Sequence, residues 1–194
     1  LRGKTSSTGV TALACLNLPL SMRYDPAWLY IPGIIQGPHE PNAKNSENRH
    51  YWRLMVTELS QAYSRGLKPH QTYKTHQMGL EFNDRLHRAA IAASSMDFKC
   101  ARPHGGFLDV TSHHTCFICT CWHLVYIGRT DYSNWGHADV DFLKKGASAW
   151  LDAGTKDERV EIESFYGTRY SELWRLPYWD PTTQLLVEPM HTIF

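Results

Sequence analysis

A chain of 194 residues is long enough for one domain with a sizeable core, or for part of a larger one. With 42% apolar and 20% charged residues the composition is globular rather than disordered, and no apolar run reaches the roughly 20 residues of a bilayer span. A formal charge of +1 excludes a strong overall field toward nucleic acid or a membrane surface, while leaving room for a local basic patch.

The opening "LRGKTSSTGVTALACLNLPL" imitates a secretory signal, with a basic start and an apolar centre. Polar residues break that centre, and "NLPLSMRY" does not look like a cleavage site. The chain starts at Leu1 rather than Met, and both ends read as cut from a longer protein. "TGVTALACLNLP" (residues 8–19) is β-branched and alternating, which predicts a strand. "AWLYIPGIIQGP" (residues 27–38) predicts a second, interrupted or ended near Pro32-Gly33. Joined by "LSMRYDP", the two make an antiparallel hairpin with a wide loop. "GPHEPNAKNSENRH" is rich in loop residues. A helix is expected over residues 47–65, where Trp52, Met55, Val56, Leu59 and Tyr63 recur at helical spacing and Gly66 stops the run.

Residues 67–87 are polar and carry no clear element. "RAAIAASSMD" (residues 88–97) predicts a short buried strand, although its alanines would also suit a helix, and "PHGG" breaks the chain at 103–106. A Cys/His segment spans residues 104–123. A helix over residues 138–153 places Val140, Leu143, Ala147, Trp150 and Leu151 on one face. Thr155 with Glu158 is a capping-box pattern that opens a further helix to Tyr166, ended by Gly167. "LWRLPYWDP" reads as a packed extended segment that pins helices to the core. "LLV" (residues 185–187) is a short apolar run closed by Glu188, with His191 three residues on.

The five cysteines are Cys15, Cys100, Cys116, Cys119 and Cys121, three of them within six residues. That is no disulfide framework; it points to a reducing compartment, nuclear or cytoplasmic rather than secreted. In "HHTCFICTCWH" the two-residue gap between Cys116 and Cys119 lets one turn offer both thiolates to a tetrahedral zinc. Cys121, His123, His113, His114 and the more distant His137 are further candidate ligands. The alternative is a cluster of buried free thiols packing as small hydrophobes. Asp97 ends an apolar run, where a carboxylate is held for a ligand or metal, or serves as a turn residue or helix cap. Glu188 has the same character. No phosphate loop, G-x-S-x-G or H-E-x-x-H occurs.

Six stretches in this order resemble the transposases of CACTA-type (En/Spm-like) DNA transposons of basidiomycete fungal type. They are "GKTSSTGVTALACLNLPLSMRY", "AWLYIPGIIQGPHEP", "SSMDFKCAR", "CFIC", "GTRYSELWRLPYWDP" and "EPMH". The resemblance implies an α/β fold: an RNase H-like mixed sheet flanked by helices, incomplete here, with a Cys/His-containing insertion. Residues 1–103 would be a partial core, with hairpin, helix and the strand ending at Asp97. Residues 104–136 would be the zinc insertion, and residues 137–194 a helical segment returning to the core.

The implied chemistry is phosphodiester cleavage and strand transfer with two Mg²⁺ about 4 Å apart, which demand carboxylate oxygens. The family's first aspartate lies before the residues matching Gly3-Lys4, and its last acid lies beyond Phe194. Asp97 matches the second acid, with Lys99 and Cys100 where Pro-Ala is usual. Glu188 and His191 match an Asp-x-x-His motif, with glutamate for aspartate, an exchange that shifts the carboxylate by more than about 1 Å. Cys116 and Cys119 match the family's zinc-binding pair, with Cys121 and His123 as the expected further ligands. The expected partner is DNA at transposon ends, with no membrane and a homo-oligomer in the full-length protein. The expected reading is an inactive fragment of a transposase core. The alternative is a non-catalytic zinc-stabilised module that binds DNA or protein.

Overall fold

β-branched residues at alternating positions favour extended pairing, and both runs near the start of the chain comply. In the computed structural model, which describes residues 8–37, 41, 46–80, 85–114, 116–121 and 128–188, β1 (Thr8–Leu13) pairs antiparallel with β2 (Tyr30–Gln36). The strand does not break at Pro32-Gly33. It continues through them, because the register slips by one residue between Thr11↔Gly33 and Leu13↔Tyr30. Ile31 and Pro32 thus face Ala12 in a bulge, one of the places inside a strand where a residue without an N–H fits. The connecting loop holds α1 (Leu20–Arg23) and a 3₁₀ turn capped by Asp25, which accepts the Ala27 N–H at 2.9 Å. Arg23 closes the loop on itself through the carbonyls of Leu16 (2.7 Å) and Leu18 (3.0 Å).

The hairpin belongs to one compact unit, residues 1–42; residues 43–194 form a second. Among the described residues the fold is mixed α/β, with seven helices and two two-stranded sheets. None of those helices is long and apolar enough to cross a membrane.

In the larger unit, α2 (Arg49–Ser64) buries Met55, Val56 and Ala62. It packs on the 3₁₀ turn Glu172–Arg175, where the buried Glu172 carboxylate meets Arg53 at 3.4 Å and Arg175 at 2.9 Å. Around that turn the "ELWRLPYWDP" stretch forms the expected pin. Leu173, Trp174, Leu176 and Trp179 are buried, and Asp180 caps α7 (Pro181–Gln184) by accepting the Thr182 N–H at 2.8 Å. The short α3 (Tyr73–Gln77) lies in the stretch that the sequence left unassigned.

Two elements differ from the sequence expectation. Of residues 88–97 only β3 (Ser94–Met96) is a strand, because its partner β4 (Leu185–Val187) is equally short. The alanine-rich lead-in is held instead by side chains: Tyr178 Oη accepts the Ile91 N–H (3.0 Å), and Gln184 Nε2 donates to the Ile91 carbonyl (2.9 Å). The expected break at 103–106 is in fact the last turn of α4 (Phe98–Gly105), which Gly106 ends at φ 79°. A Cβ on Gly106 would lie 2.4 Å from the Arg169 carbonyl oxygen, so only glycine fits there.

The two long C-terminal helices form as expected, as α5 (Val140–Asp152) and α6 (Lys156–Tyr166). Thr155 and Glu158 complete a capping box, and Gly167 ends α6 in the left-handed region. Leu151, expected on the buried face of α5, is 40% exposed; Gly146 is buried there instead. Glu163 ties this pair together, accepting from Trp150 Nε1 (2.8 Å) and from both ends of the Arg169 guanidinium (2.9 and 3.0 Å). A Cβ on Gly146 would meet the Tyr166 Cβ at 2.4 Å. Gly146→Ala should therefore destabilise the protein by about 1–3 kcal/mol, against the gain of up to about 1 kcal/mol that helix propensity alone would give. Urea unfolding measures the sign.

Candidate functional site

β3 and β4 run parallel in the register Ser94↔Leu185, Ser95↔Leu186 and Met96↔Val187. The ladder extends one bond further, from the Glu188 N–H to the Met96 carbonyl at 2.9 Å. Asp97 and Glu188 are thus the next residues of two adjacent strands, at the same carboxyl edge. Both are half-buried. A carboxylate at such a position is carried by stiff backbone, which is what a ligand site requires.

Asp97 also has a structural task. Its Oδ1 accepts the Cys100 N–H at 2.6 Å and caps α4. Burial, followed by the hydrogen bond and the negative charge of Asp97, raises the Cys100 thiol pKa. The cap reading of Asp97 is therefore realised, and it coexists with the strand-edge placement. Mg²⁺ commonly uses one or two carboxylates, with waters and substrate phosphates completing its octahedron. Asp97 and Glu188 fit that donor chemistry in kind. They do not supply a two-ion site, since no group of three or more His, Cys, Asp or Glu side chains able to hold a metal occurs among the described residues. His191 lies outside the described residues.

Behind this edge, α4 carries two buried polar side chains that sequence reasoning missed. The His104 Nε2 meets Ser94 Oγ at 2.9 Å, and the ring stands edge-on to Trp52 at 4.5 Å. The His104 carbonyl accepts from Ser171 Oγ at 2.7 Å. Arg102 bonds the carbonyls of Leu108 and His114, the latter at 2.9 Å, and so fixes the loop that leads into the cysteines. Burial lowers the pKa of this guanidinium, with Asp109 opposing the shift. No local pattern in "FKCARPHG" marks these two as interior, because the side chains that satisfy them are either ten or more residues away or backbone carbonyls of a later loop.

The thiols form a second cluster. The Ile118 N–H donates to Cys116 Sγ at 3.4 Å, and the Cys121 N–H donates to the Cys119 thiol. Cys119 in turn hydrogen-bonds Cys116, and burial, then this bond, pushes its pKa up to about 12. An antiparallel contact sets the geometry: Cys119 bridges His137, Thr120 N–H reaches the Gly136 carbonyl (2.9 Å), and Ala138 N–H reaches the Ile118 carbonyl (3.0 Å). Cys116, Cys119 and Cys121 line a cleft of about 600 Å³ with His114 and the aromatic wall of Phe142 and Tyr166. His114 is locked there, its Nε2 on the Ser164 carbonyl at 3.0 Å and its ring against Gly167, where a Cβ would clash at 2.5 Å. Of the expected zinc ligands, the three cysteines share one cleft, while His123 lies outside the described residues. Two thiols bridged by a hydrogen bond, each accepting an N–H from two residues on, fit soft-metal donor chemistry; a third ligand at metal distance is not among the described residues.

Comparison with protein-family models, curated proteins and solved structures gave no match.

Burial holds the His104 imidazole at about 4, below its usual 6.5. The ring protonates near 6.5 in the unfolded chain but near 4 in the folded one. Its contribution is therefore fully favourable above about pH 6.5 and declines by about 3 kcal/mol as pH falls to about 4. Urea melts between those limits should show this slope, and His104→Gln should flatten it relative to the parent.

Proposed function

We propose that this chain is part of a CACTA-type transposase core with an RNase H-like arrangement, and that the carboxyl edge of β3 and β4 is its ancestral DNA-processing site. One observation carries the reading: the two acids singled out by resemblance, 91 residues apart in sequence, follow directly on adjacent parallel strands. The six ordered sequence stretches, two of which contain these acids, support the same reading. Asp97 and Glu188 would hold a single hydrated Mg²⁺, which when bound polarises a phosphate oxygen and stabilises a leaving oxyanion. What the chain's own residues do is narrower. The Met96–Glu188 hydrogen bond fixes the relative height of the two strands, and the α4 cap fixes the Asp97 rotamer. Two carboxylates do not assemble a two-ion centre, so the chain binds substrate and cation without turning DNA over.

The test uses Asp97→Asn and Glu188→Gln. Asparagine caps a helix as well as aspartate, so stability should change by less than about 1 kcal/mol in the first variant. Mn²⁺ affinity, measured by calorimetry, should fall roughly tenfold or more in each, as one of two charged ligands is lost. Unchanged affinity in both variants would refute the shared site.

A second reading, a zinc-stabilised binding module, is favoured by the paired N–H···S bonds at Cys116 and Cys119. Backbone donors of this kind stabilise thiolates once a metal has displaced the protons. Under reducing conditions Co²⁺ should give thiolate charge-transfer absorption that Cys116→Ser and Cys119→Ser each diminish. Absence of that absorption in the parent protein removes this reading.

A further inference from the structure

Neither reading uses the helix side of the thiol cleft. The thiols come from the loop over residues 116–121, and much of the remaining wall comes from α5 and α6. Asp139 caps the first turn of α5 through Oδ1, which accepts the N–H groups of Asp141 (2.9 Å) and Phe142 (3.2 Å). Gly167 ends α6 directly after Tyr166. The start of one helix and the end of the other thus meet at the cleft, and bring Phe142, Phe165 and Tyr166 to its wall. The three rings pack on one another, with centroids 4.6 Å apart for Phe142–Tyr166, 4.8 Å for Phe165–Tyr166 and 5.7 Å for Phe142–Phe165. Such clusters belong in a core, yet Phe165 is 64% exposed and Phe142 37%.

The charge of the lining has one sign. Asp139 and Glu161 both line the cleft and both are exposed, while no Lys or Arg occurs among the described residues that line it. The basic ring present, His114, donates its Nε2–H to the Ser164 carbonyl. The Asp139 cap engages Oδ1 alone, and Glu161 enters no ion pair among the described residues. The last turn of α6 carries no basic residue, so a cation in the cleft also meets the negative end of that helix dipole. Aromatic faces are themselves negative and attract a cation placed over them. An anion would meet two carboxylates with no counter-charge, and a neutral apolar ligand would leave both carboxylates unused. A volume of about 600 Å³ lies within the range of small-ligand sites.

We propose that the α5–α6 side of this cleft binds a quaternary alkylammonium group, seated on Phe142, Phe165 and Tyr166 with Asp139 and Glu161 as counter-charge. A quaternary group suits this wall better than a primary amine. Its charge is spread over methyl groups that pack on rings, and it has no N–H that needs an acceptor. The site depends neither on the acid edge of β3 and β4 nor on metal at the thiols.

Calorimetry of the whole chain in EDTA and reductant tests this, with choline set against the neutral alcohol in which carbon replaces the ammonium nitrogen. The two probes share size and shape and differ in charge. The parent protein should bind choline roughly tenfold more tightly than the neutral probe. Asp139→Asn/Glu161→Gln keeps the helix cap and should weaken choline binding about three- to tenfold, leaving the neutral probe unchanged. Phe165→Leu keeps an apolar side chain at an exposed position and should weaken choline about threefold, with circular dichroism unchanged. Amide shifts on choline addition should map to residues 139–142 and 161–167. A short peptide carrying trimethyllysine separates the sources of the group: tighter binding than choline assigns it to a protein segment, and weaker binding to a free small molecule. Asp97→Asn/Glu188→Gln should bind choline as the parent does, so failure of the acid-edge proposal and failure of this one are distinguishable. The proposal is overturned if neither choline nor the peptide binds at millimolar concentration, or if choline and its neutral counterpart bind alike. It is also overturned if both variants keep the parent's preference, or if the shifts fall outside those residues.

Discussion

The structure of the larger unit depends on one pairing: three residues of β4 laid parallel to three residues of β3. The segments join chain regions some 90 residues apart, and parallel strands cannot be linked by a tight turn, so the contact must be made by tertiary packing. A ladder of this length is too short to hold itself. Its support comes from the aromatic and proline-rich run just upstream of β4, whose Leu173, Leu176 and Trp179 are buried, and from the Tyr178 and Gln184 clamps on Ile91. Those clamps fix the register before the strands begin. Once the register is fixed, Asp97 and Glu188 have nowhere to be except side by side in sequence terms at the same edge.

Helix α4 then links that edge to the thiol cluster. Asp97 caps its first turn, His104 anchors its last turn to Ser94 and Trp52, and Arg102 reaches across to the loop before Cys116. An eight-residue helix thus serves as the common support of both candidate sites. Its two buried polar side chains are handled differently. The arginine stays charged, bonded to backbone carbonyls, whereas the histidine is held neutral by burial, which ties the integrity of the acid edge to pH.

Much of this was legible in the sequence where local rules decide the outcome. The capping box at Thr155 and Glu158 and the Gly167 stop follow from spacing alone, as do Met55 and Val56 on the buried face of α2, whereas Tyr63, expected on that face, is exposed and Ala62 is buried instead. The hairpin of β1 and β2 also follows from spacing. The failures have a shared cause. The strand over residues 88–97 reads longer than β3 is because alanines say nothing about how long a partner strand is. The last turn of α4 reads as a break because Pro103 and Gly106 outweigh Asp97, whose capping role needs the helix to exist first. The bulge at Pro32 depends on register, which is a property of two strands rather than one. As for the sites, "CFIC" announced the paired thiols, while the cleft that they share with His114 arises from packing against α5 and α6.

The account rests on Asp97 and Glu188 acting at one edge on one cation. Nuclear magnetic resonance of the isotopically labelled chain under Mn²⁺ titration addresses this directly, because paramagnetic broadening falls off steeply with distance from the ion. The account predicts early, selective loss of the amide signals of Asp97, Phe98 and Glu188, with the cysteine segment unaffected at the same Mn²⁺ level. Broadening that spares these three amides, or that affects only one of the two strand ends, would contradict it.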